Sequence, residues 1–353
     1  MKKLFVIFAA IAMVGAFTAT AMAADWNFYG SSRVETSYAN QSKELAGNDD
    51  GITILNTDLN VTSRVGANVK VSDALSGRFE YGGTSNMRLL YGVWNFGSGA
   101  LIVGQNYTPG GGMTNGTQAL ACDYGMYTFG LYESRQPQVT LSFGSFSFGI
   151  VQNGLTQDLV GNEGPDTDWS NADLGDVDTY PNLEAGYNGA FGNFSLGVYG
   201  AYQYAKLQDI GDTTHTAYGV GGSFGGNFGA VNFTVQAAYS QNGGTIWAGH
   251  GKALPTAAAD DIDDTMTTNA TGTIGFTASD MIYVEGGLGW RQYDNDQYAE
   301  KDSDMVYYVN CKINLADGVF VVPEVSVFDY GKNSADQDQG TATFVGAKWQ
   351  INF

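Results

Sequence analysis

Apolar and polar residues alternate along long stretches of this chain, and this period of two limits the fold more than any other feature of the sequence. In the clearest stretch, from Thr53 to Val71, one face is apolar or small and the other is polar and charged. Such a strand exceeds the ~9–11 residues that a tilted strand needs to cross a bilayer. Sixteen strands are predicted, near residues 26–38, 53–71, 77–84, 87–95, 100–107, 136–143, 146–153, 182–190, 194–206, 216–224, 230–241, 267–277, 281–293, 305–315, 319–330 and 341–353.

The connections between these segments alternate in length. Short turns such as residues 144–145 and 316–318 join one set of strand ends. Longer loops join the other set, at residues 39–52, 108–135, 154–181, 207–215, 242–266, 294–304 and 331–340. The connection at residues 84–87 is the one short exception. Short turns on one side and long loops on the other are typical of outer-membrane barrels.

A soluble β-sandwich is the alternative fold, because its strands alternate as well. Sandwich strands usually have about three to ten residues, and several segments here are longer. The last segment also ends on Phe353, on its apolar face, where an aromatic ring suits a membrane interface. The sequence therefore predicts an all-β fold, a transmembrane antiparallel β-barrel with sixteen strands.

The first 23 residues have the pattern of a secretory signal. Lys2 and Lys3 precede an apolar stretch, and Ala21-Met22-Ala23 forms an A-x-A cleavage site. We expect a signal peptide at residues 1–23 and a single transmembrane β-barrel at residues 24–353. Beyond the signal no apolar run reaches the ~18 residues of a membrane helix, which excludes a multi-helix membrane protein. Export of a barrel predicts a multi-pass protein of the outer membrane of a Gram-negative bacterium.

Charge and motifs argue against several classes of function. The net charge is −20, so the chain lacks the clustered Lys and Arg with which proteins bind nucleic acid. His215 and His250 lie in predicted loops, without metal-ligand spacing or a neighbouring nucleophile. Residues 221–225 match G-x-S-x-G, but no helix is predicted after the serine, as a hydrolase requires. We expect no enzyme activity, no cofactor and no metal site.

Four stretches carry a family resemblance: Asp25 to Gly30, Arg88 to Gly97, Leu101 to Pro109, and Gly346 to Phe353. They resemble the trimeric general-diffusion porins, and more closely the homotrimeric outer-membrane porins of sulfate-reducing bacteria. The second and third stretches resemble the hairpin that leads into the third loop of porins. The chain departs from the family at Gln105, where Arg is frequent, and in its third loop, which lacks the usual acidic run.

The resemblance implies a homotrimer in which the third loop, residues 108–136, folds into the barrel and narrows it. The composition of this loop agrees, because Asp123, Glu133 and Arg135 are its only charged residues. The other long loops are more acidic. The alternative to an inward fold is an external surface loop that carries few charges.

Basic residues fall on the polar faces of the predicted strands. Arg33, Arg64, Arg78 and Arg88, from the first four strands, are expected to form the positive side of a constriction, opposite Asp123 and Glu133 of the third loop. Facing charges create a field that selects solutes by size and charge. In the alternative, the charges only hydrate the lumen and pair along the wall. Other residues expected to line the pore are Glu35, Asp58, Lys70, Glu80, Arg135, Arg291 and Lys348.

Acidic residues are concentrated in two loops, at residues 154–181 and 260–264. Neither run matches a calcium-binding loop motif. We expect a solvated acidic vestibule that attracts cations and bridges divalent ions to lipopolysaccharide. The acidic excess of the whole chain favours cations with low selectivity, although the inward arginines act in the opposite sense.

The predicted function is passive diffusion of small hydrophilic solutes and ions through a water-filled channel. Its expected partners are outer-membrane lipid, lipopolysaccharide and two further copies of the chain. A channel selective for an anion such as sulfate is one alternative. A plugged barrel with a structural or adhesive role is another.

Overall fold

The computed structural model describes residues 24–111, 116, 126–132, 135–152, 177–207, 213–247, 256–258, 261–295, 298 and 300–353. The predicted signal peptide, residues 1–23, lies outside the described part. Within that part, no helix has both the length and the apolar character to cross a membrane.

In the described part of the chain, eighteen strands form one antiparallel sheet. They are β1 (Asp25–Gln41), β2 (Ile52–Leu59), β3 (Arg64–Lys70), β4 (Leu75–Gly82), β5 (Met87–Asn95), β6 (Ala100–Tyr107), β7 (Arg135–Phe143), β8 (Phe146–Val151), β9 (Val177–Thr179), β10 (Asn182–Phe191), β11 (Phe194–Leu207), β12 (Thr213–Phe228), β13 (Val231–Gln241), β16 (Thr265–Thr277), β17 (Ile282–Asn295), β18 (Asp302–Ala316), β19 (Val319–Asp329) and β20 (Thr341–Asn352). A separate ribbon pairs β14 (Thr256–Ala258) with β15 (Asp261–Asp263). The helix α1 (Lys43–Ala46) and the 3-10 turns Tyr127–Phe129 and Gly243–Thr245 lie in connections.

The sheet closes into a barrel of sixteen spanning strands, as the sequence predicts. β2 and β3 pair with successive parts of β1, so they are two halves of one spanning strand. β9 and β10 likewise pair with successive parts of β11. The first and last strands pair from Ser31↔Asn352 to Gln41↔Ala342, which closes the sheet and leaves no seam between its ends.

The period of two places apolar side chains on the outside of the barrel. Leu55 and Phe353 expose 77% and 74% of their surface, as they would towards lipid. Aromatic rings gather near the short turns, where Phe194 lies 5.4 Å from both Phe224 and Phe228, centroid to centroid. Such a girdle marks the membrane interface of a barrel.

One part of the strand prediction is wrong, because the stretch from Thr53 to Val71 is not continuous. Between the pairs Ser31↔Arg64 and Val34↔Leu59, two residues of β1 oppose four, residues 60–63, which form a bulge. Ser63, expected on the apolar outer face, is instead 5% exposed. Its hydroxyl accepts a hydrogen bond from the backbone N–H of Arg33 at 3.0 Å. Bulges of this kind redirect side chains, and this one acts at the predicted site.

Candidate permeation site

Three arginines from neighbouring strands converge on Glu80 of β4, which is fully buried. The distances to its carboxylate oxygens are 2.7 Å from Arg88 Nε, 3.1 Å from Arg78 Nη2 and 3.7 Å from Arg64 Nη1. The Tyr29 hydroxyl donates to the same carboxylate at 2.9 Å. Three guanidinium groups against one carboxylate leave two positive charges on this part of the wall.

The bulge at residues 60–63 orients two of the predicted arginines. Arg33 Nη1 donates to the Thr62 hydroxyl at 3.0 Å, and Arg64 Nε donates to the Thr62 carbonyl at 2.9 Å. Arg64 Nη2 is buried and has no hydrogen-bond partner among the described residues. The structure thus brings Arg33, Arg64, Arg78 and Arg88 together on one part of the wall.

Arg135 joins this group through Tyr107. Its Nη1 donates to the Tyr107 hydroxyl at 3.4 Å, and its guanidinium carbon lies 5.4 Å from the centroid of that ring. Arg88 Nη2 donates to the same hydroxyl at 3.5 Å. A guanidinium over an aromatic face is a favourable arrangement that also fixes its position.

Several predicted pore-lining residues lie outside this cluster. Glu35 accepts a hydrogen bond from Asn60 at 3.1 Å, and Asp58 is exposed. Lys70 lies at the short-turn end of β3, where it pairs with Asp73 at 2.7 Å. Lys348 is 5% exposed, with its ammonium 5.8 Å from the ring of Phe320.

Asp123 and Glu133, the acidic residues expected opposite the arginines, lie outside the described residues. Among the residues that are described, Glu80 of the wall itself supplies the counter-charge to three of the arginines. The sequence pattern placed Glu80 in the lumen, but the convergence of three strands on it depends on register, which the pattern does not reveal.

The third loop, here L3 (residues 108–134), folds inward at its described residues, as predicted. Near its start, Gly110 donates its backbone N–H to the Glu184 carboxylate of β10 at 2.7 Å. Near its end, Met126 and Phe129 are buried against the inner face of β18. Arg291 of β17 donates to the Thr128 carbonyl at 2.5 Å. Arg291, predicted to line the pore, also forms an ion pair with Asp304, so it holds the loop to the wall.

A second loop also folds inward at its start, residues 242–247, which the sequence pattern did not predict. This loop, L6 (residues 242–264), places Ile246 and Trp247 in one buried apolar cluster with Leu131 of L3. The cluster is completed by inward residues of β11, β12 and β13: Tyr199, Ala201, Ala217 and Ala238. Two large apolar residues in an external loop are the signal in the sequence that could have revealed this contact.

His215 is not in a loop, contrary to the prediction, but in β12. It is 2% exposed, and its Nε2 lies 3.3 Å from the Thr245 hydroxyl of L6. L6 shields it from solvent, and periodicity could not show this. Within the described part of the chain, no three His, Cys, Asp or Glu side chains are arranged to hold a metal ion. His250 lies outside the described residues.

Solved structures of outer-membrane channels share this fold. The outer membrane channel DcaP of Acinetobacter baumannii superposes with a TM-score of 0.71 at 14% identity, over 95% of this chain and 99% of its own. The anion-selective porin from Comamonas acidovorans superposes with a TM-score of 0.59 at 12% identity, over 94% of this chain and 100% of its own. The outer membrane protein OmpT of Vibrio cholerae, in its trimer form, superposes with a TM-score of 0.58 at 15% identity, over 94% of this chain and 100% of its own. No protein-family model and no curated protein matches the sequence.

The fold is therefore that of the outer-membrane porins, a multi-pass outer-membrane β-barrel. At 12–15% identity the likeness concerns the fold alone. Function has to be argued from the residues of this chain.

Proposed function

We propose that this protein is an outer-membrane porin, a water-filled channel for passive diffusion of small hydrophilic solutes and ions. The observation that carries the proposal is the polarity of the closed barrel. Its outer face is apolar, and its inner face holds the buried arginine cluster and the inward loop L3. A polar, charged lumen of this kind suits hydrated ions and small hydrophilic solutes. The proposal includes no catalytic step and no cofactor.

The proposal extends to processing and assembly. Residues 1–23 are removed on export, and three copies associate in the outer membrane, where the acidic loops contact lipopolysaccharide. The trimer form of the similarly folded OmpT supports the assembly. The resemblance of residues 88–109 to the hairpin of trimeric porins supports it from the sequence.

The test is conductance of the unheated, purified protein in a planar bilayer, combined with swelling of proteoliposomes in sugars of increasing size. We expect large ohmic steps that close in threes, and swelling that ends at a definite sugar size. Folded and inserted protein that produces no steps and no swelling would refute the channel and favour the plugged, structural barrel.

A second candidate within this function is an anion-preferring channel. Among the described residues, Arg64, Arg78 and Arg88 share the Glu80 carboxylate, and Arg135 adds a further positive charge beside them. Guanidinium groups donate charge-assisted hydrogen bonds to carboxylate, sulfate and phosphate oxygens, so a wall of arginines suits such anions. Interactions in a confined lumen are screened less than those of surface loops, so this wall opposes the cation preference expected from overall charge.

The reversal potential under a KCl gradient tests the anion preference. The wild-type channel is expected to favour chloride, and Arg64→Gln is expected to move the potential towards cations. Lys70→Gln is the matched control, because it removes one positive charge at the rim, where the side chain is 61% exposed. A cation-selective wild type that Arg64→Gln leaves unchanged would contradict the preference without touching the channel itself.

A further inference from the structure

L6 and L3 meet inside the barrel, where Trp247 of L6 donates a hydrogen bond to the Gly110 carbonyl of L3. We propose that Trp247 of L6 is a positioning residue that holds the constriction loop L3 in place. This inference rests on the proposed channel function. It makes L6 a second determinant of the size of the passage, because L3 cannot shift at its first anchor unless L6 releases it.

Gly110 of L3 is held from two sides. Its N–H donates to Glu184 of β10 at 2.7 Å, and its carbonyl accepts a hydrogen bond from the Trp247 indole N–H at 3.3 Å. A Cβ on this residue would lie 2.6 Å from the Gly200 carbonyl oxygen, closer than real Cβ atoms approach backbone oxygen. The backbone of L3 therefore touches the wall here, and Trp247 holds its carbonyl from L6.

The wall is shaped to receive the indole. Trp247 is 1% exposed, and a Cβ on Gly219 of β12 would lie 2.5 Å from its Cη2 atom. Leu131 of L3 packs in the same buried cluster as the indole, so a second residue of the loop belongs to this apolar group. A buried Trp that also satisfies its N–H is both a large packing element and a directional one.

The base of L6 is fixed to the sheet by polar contacts. Asn242 Nδ2 donates to the Thr216 carbonyl at 3.0 Å and to Asp264 at 2.7 Å, and its Oδ1 accepts from the Thr265 N–H at 2.9 Å. The Thr245 hydroxyl donates to Gln203 of β11 at 2.6 Å. Because this base is part of the rigid wall, Trp247 transmits that rigidity to L3.

The experiment compares wild type, Trp247→Ala and Trp247→Phe by single-channel conductance, open-channel noise and sugar size limit. Trp247→Ala is expected to lose the uniform conductance level, with increased noise and a higher size limit. Trp247→Phe keeps a ring in the niche but loses the hydrogen bond to Gly110, so its noise is expected between those of wild type and Trp247→Ala. Trp349→Ala is the matched control, since it removes an exposed indole that donates to Thr36 at 3.1 Å.

Folding of each variant is verified by its heat-modifiable mobility in electrophoresis. If Trp247→Ala does not fold, Trp247→Phe carries the test. Wild-type conductance, noise and size limit in the folded Trp247 variants would overturn the inference. A wild type that does not conduct would refute the proposed function instead, so the two failures are distinguishable.

Discussion

The two halves of the barrel wall are built differently. From β1 to β7 the inner face carries long charged side chains, with Arg64, Arg78 and Arg88 around Glu80. From β10 to β18 it carries two apolar clusters, into which L3 and L6 are packed. One wall presents charge to the lumen and the other holds loops. The same period of two underlies the charged wall and the loop-bearing wall. Alternation therefore determines which side chains face the lumen, but not whether they carry charge or bind a loop.

Side-chain size explains the division. On the loop-bearing wall the inward positions include Ala201, Ala217 and Ala238, with Gly219 and Gly289 beside the packed rings. Small residues leave room for a loop backbone close to the sheet. On the charged wall, extended guanidinium groups occupy the equivalent space.

The largest expected effect is on the charged wall, from Glu80→Gln. The change leaves three guanidinium groups without their shared carboxylate. Removing one partner of a buried ion pair lowers the free energy of unfolding by about 3–5 kcal/mol. We expect about 3 kcal/mol here, because Arg78 is partly exposed and the lumen contains water. We expect a lower midpoint of urea unfolding in lipid vesicles and a reversal potential moved further towards anions.

Asp58→Asn is the matched control for Glu80→Gln, because it neutralises an exposed carboxylate near the same part of the wall. Its unfolding midpoint is expected to equal that of wild type. Equal midpoints for Glu80→Gln and Asp58→Asn would mean that the arginines are hydrated individually and do not depend on Glu80.

On the loop-bearing wall, Met126→Ala is expected to release the end of L3 without unfolding the barrel. Met126 is fully buried, and Met→Ala in a core costs about 2–5 kcal/mol, with the low end expected for a loop that can relax. Limited proteolysis of the unheated protein, followed by mass spectrometry, would show cleavage in L3. Met281→Ala, at a residue that is 55% exposed, should leave L3 resistant. A resistant L3 in Met126→Ala would mean that this cluster does not anchor the loop.

A smaller effect separates hydrogen bonding from charge on the first wall. Tyr29→Phe removes the donor to Glu80 and the acceptor for Arg78 Nε, which lies 2.9 Å from the hydroxyl. A hydrogen bond to a charged group contributes about 1.5–3 kcal/mol to the free energy of unfolding, and we expect about 1.5 here because Tyr29 is partly exposed. The reversal potential should stay at the wild-type value, since no charge is lost. Tyr38→Phe removes a hydroxyl from an exposed tyrosine and is the matched control. A reversal potential that shifts in Tyr29→Phe but not in Tyr38→Phe would show that the arginines move when the hydroxyl is lost.

Alternation in the sequence was sufficient to predict sixteen spanning strands, and it predicts Arg33, Arg64, Arg78 and Arg88 on their polar faces. It could not show the bulge at residues 60–63, because the bulge adds two residues to the strand and so preserves the period of two. Nor could it show the Trp247–Gly110 contact, whose partners are separated by 137 residues and lie in loops without periodicity. Patterns report which face a residue occupies, whereas contacts between strands and loops depend on register and closure.

The smallest effect is expected outside both walls, from Lys332→Ala in the loop between β19 and β20. The Lys332 ammonium donates to Asp336 at 2.6 Å, and this bond raises the pKa of Lys332 above its usual range. The pair is therefore intact at neutral pH and is lost as pH rises through that raised pKa. Both side chains are mostly exposed, so solvent and salt weaken the interaction, and we expect an unchanged unfolding midpoint.

The same variant decides whether the external loops or the arginine wall govern ion preference. Lys332→Ala removes a positive charge near the outer mouth and should move the reversal potential slightly towards cations at low salt. At about 1 M salt the Debye length is ~3 Å, so this shift should disappear, whereas the shift of Arg64→Gln inside the lumen should persist. If the two shifts are equal at high salt, surface charge controls passage as strongly as the wall does. The functional contrast between the charged wall and the rest of the molecule would then fail.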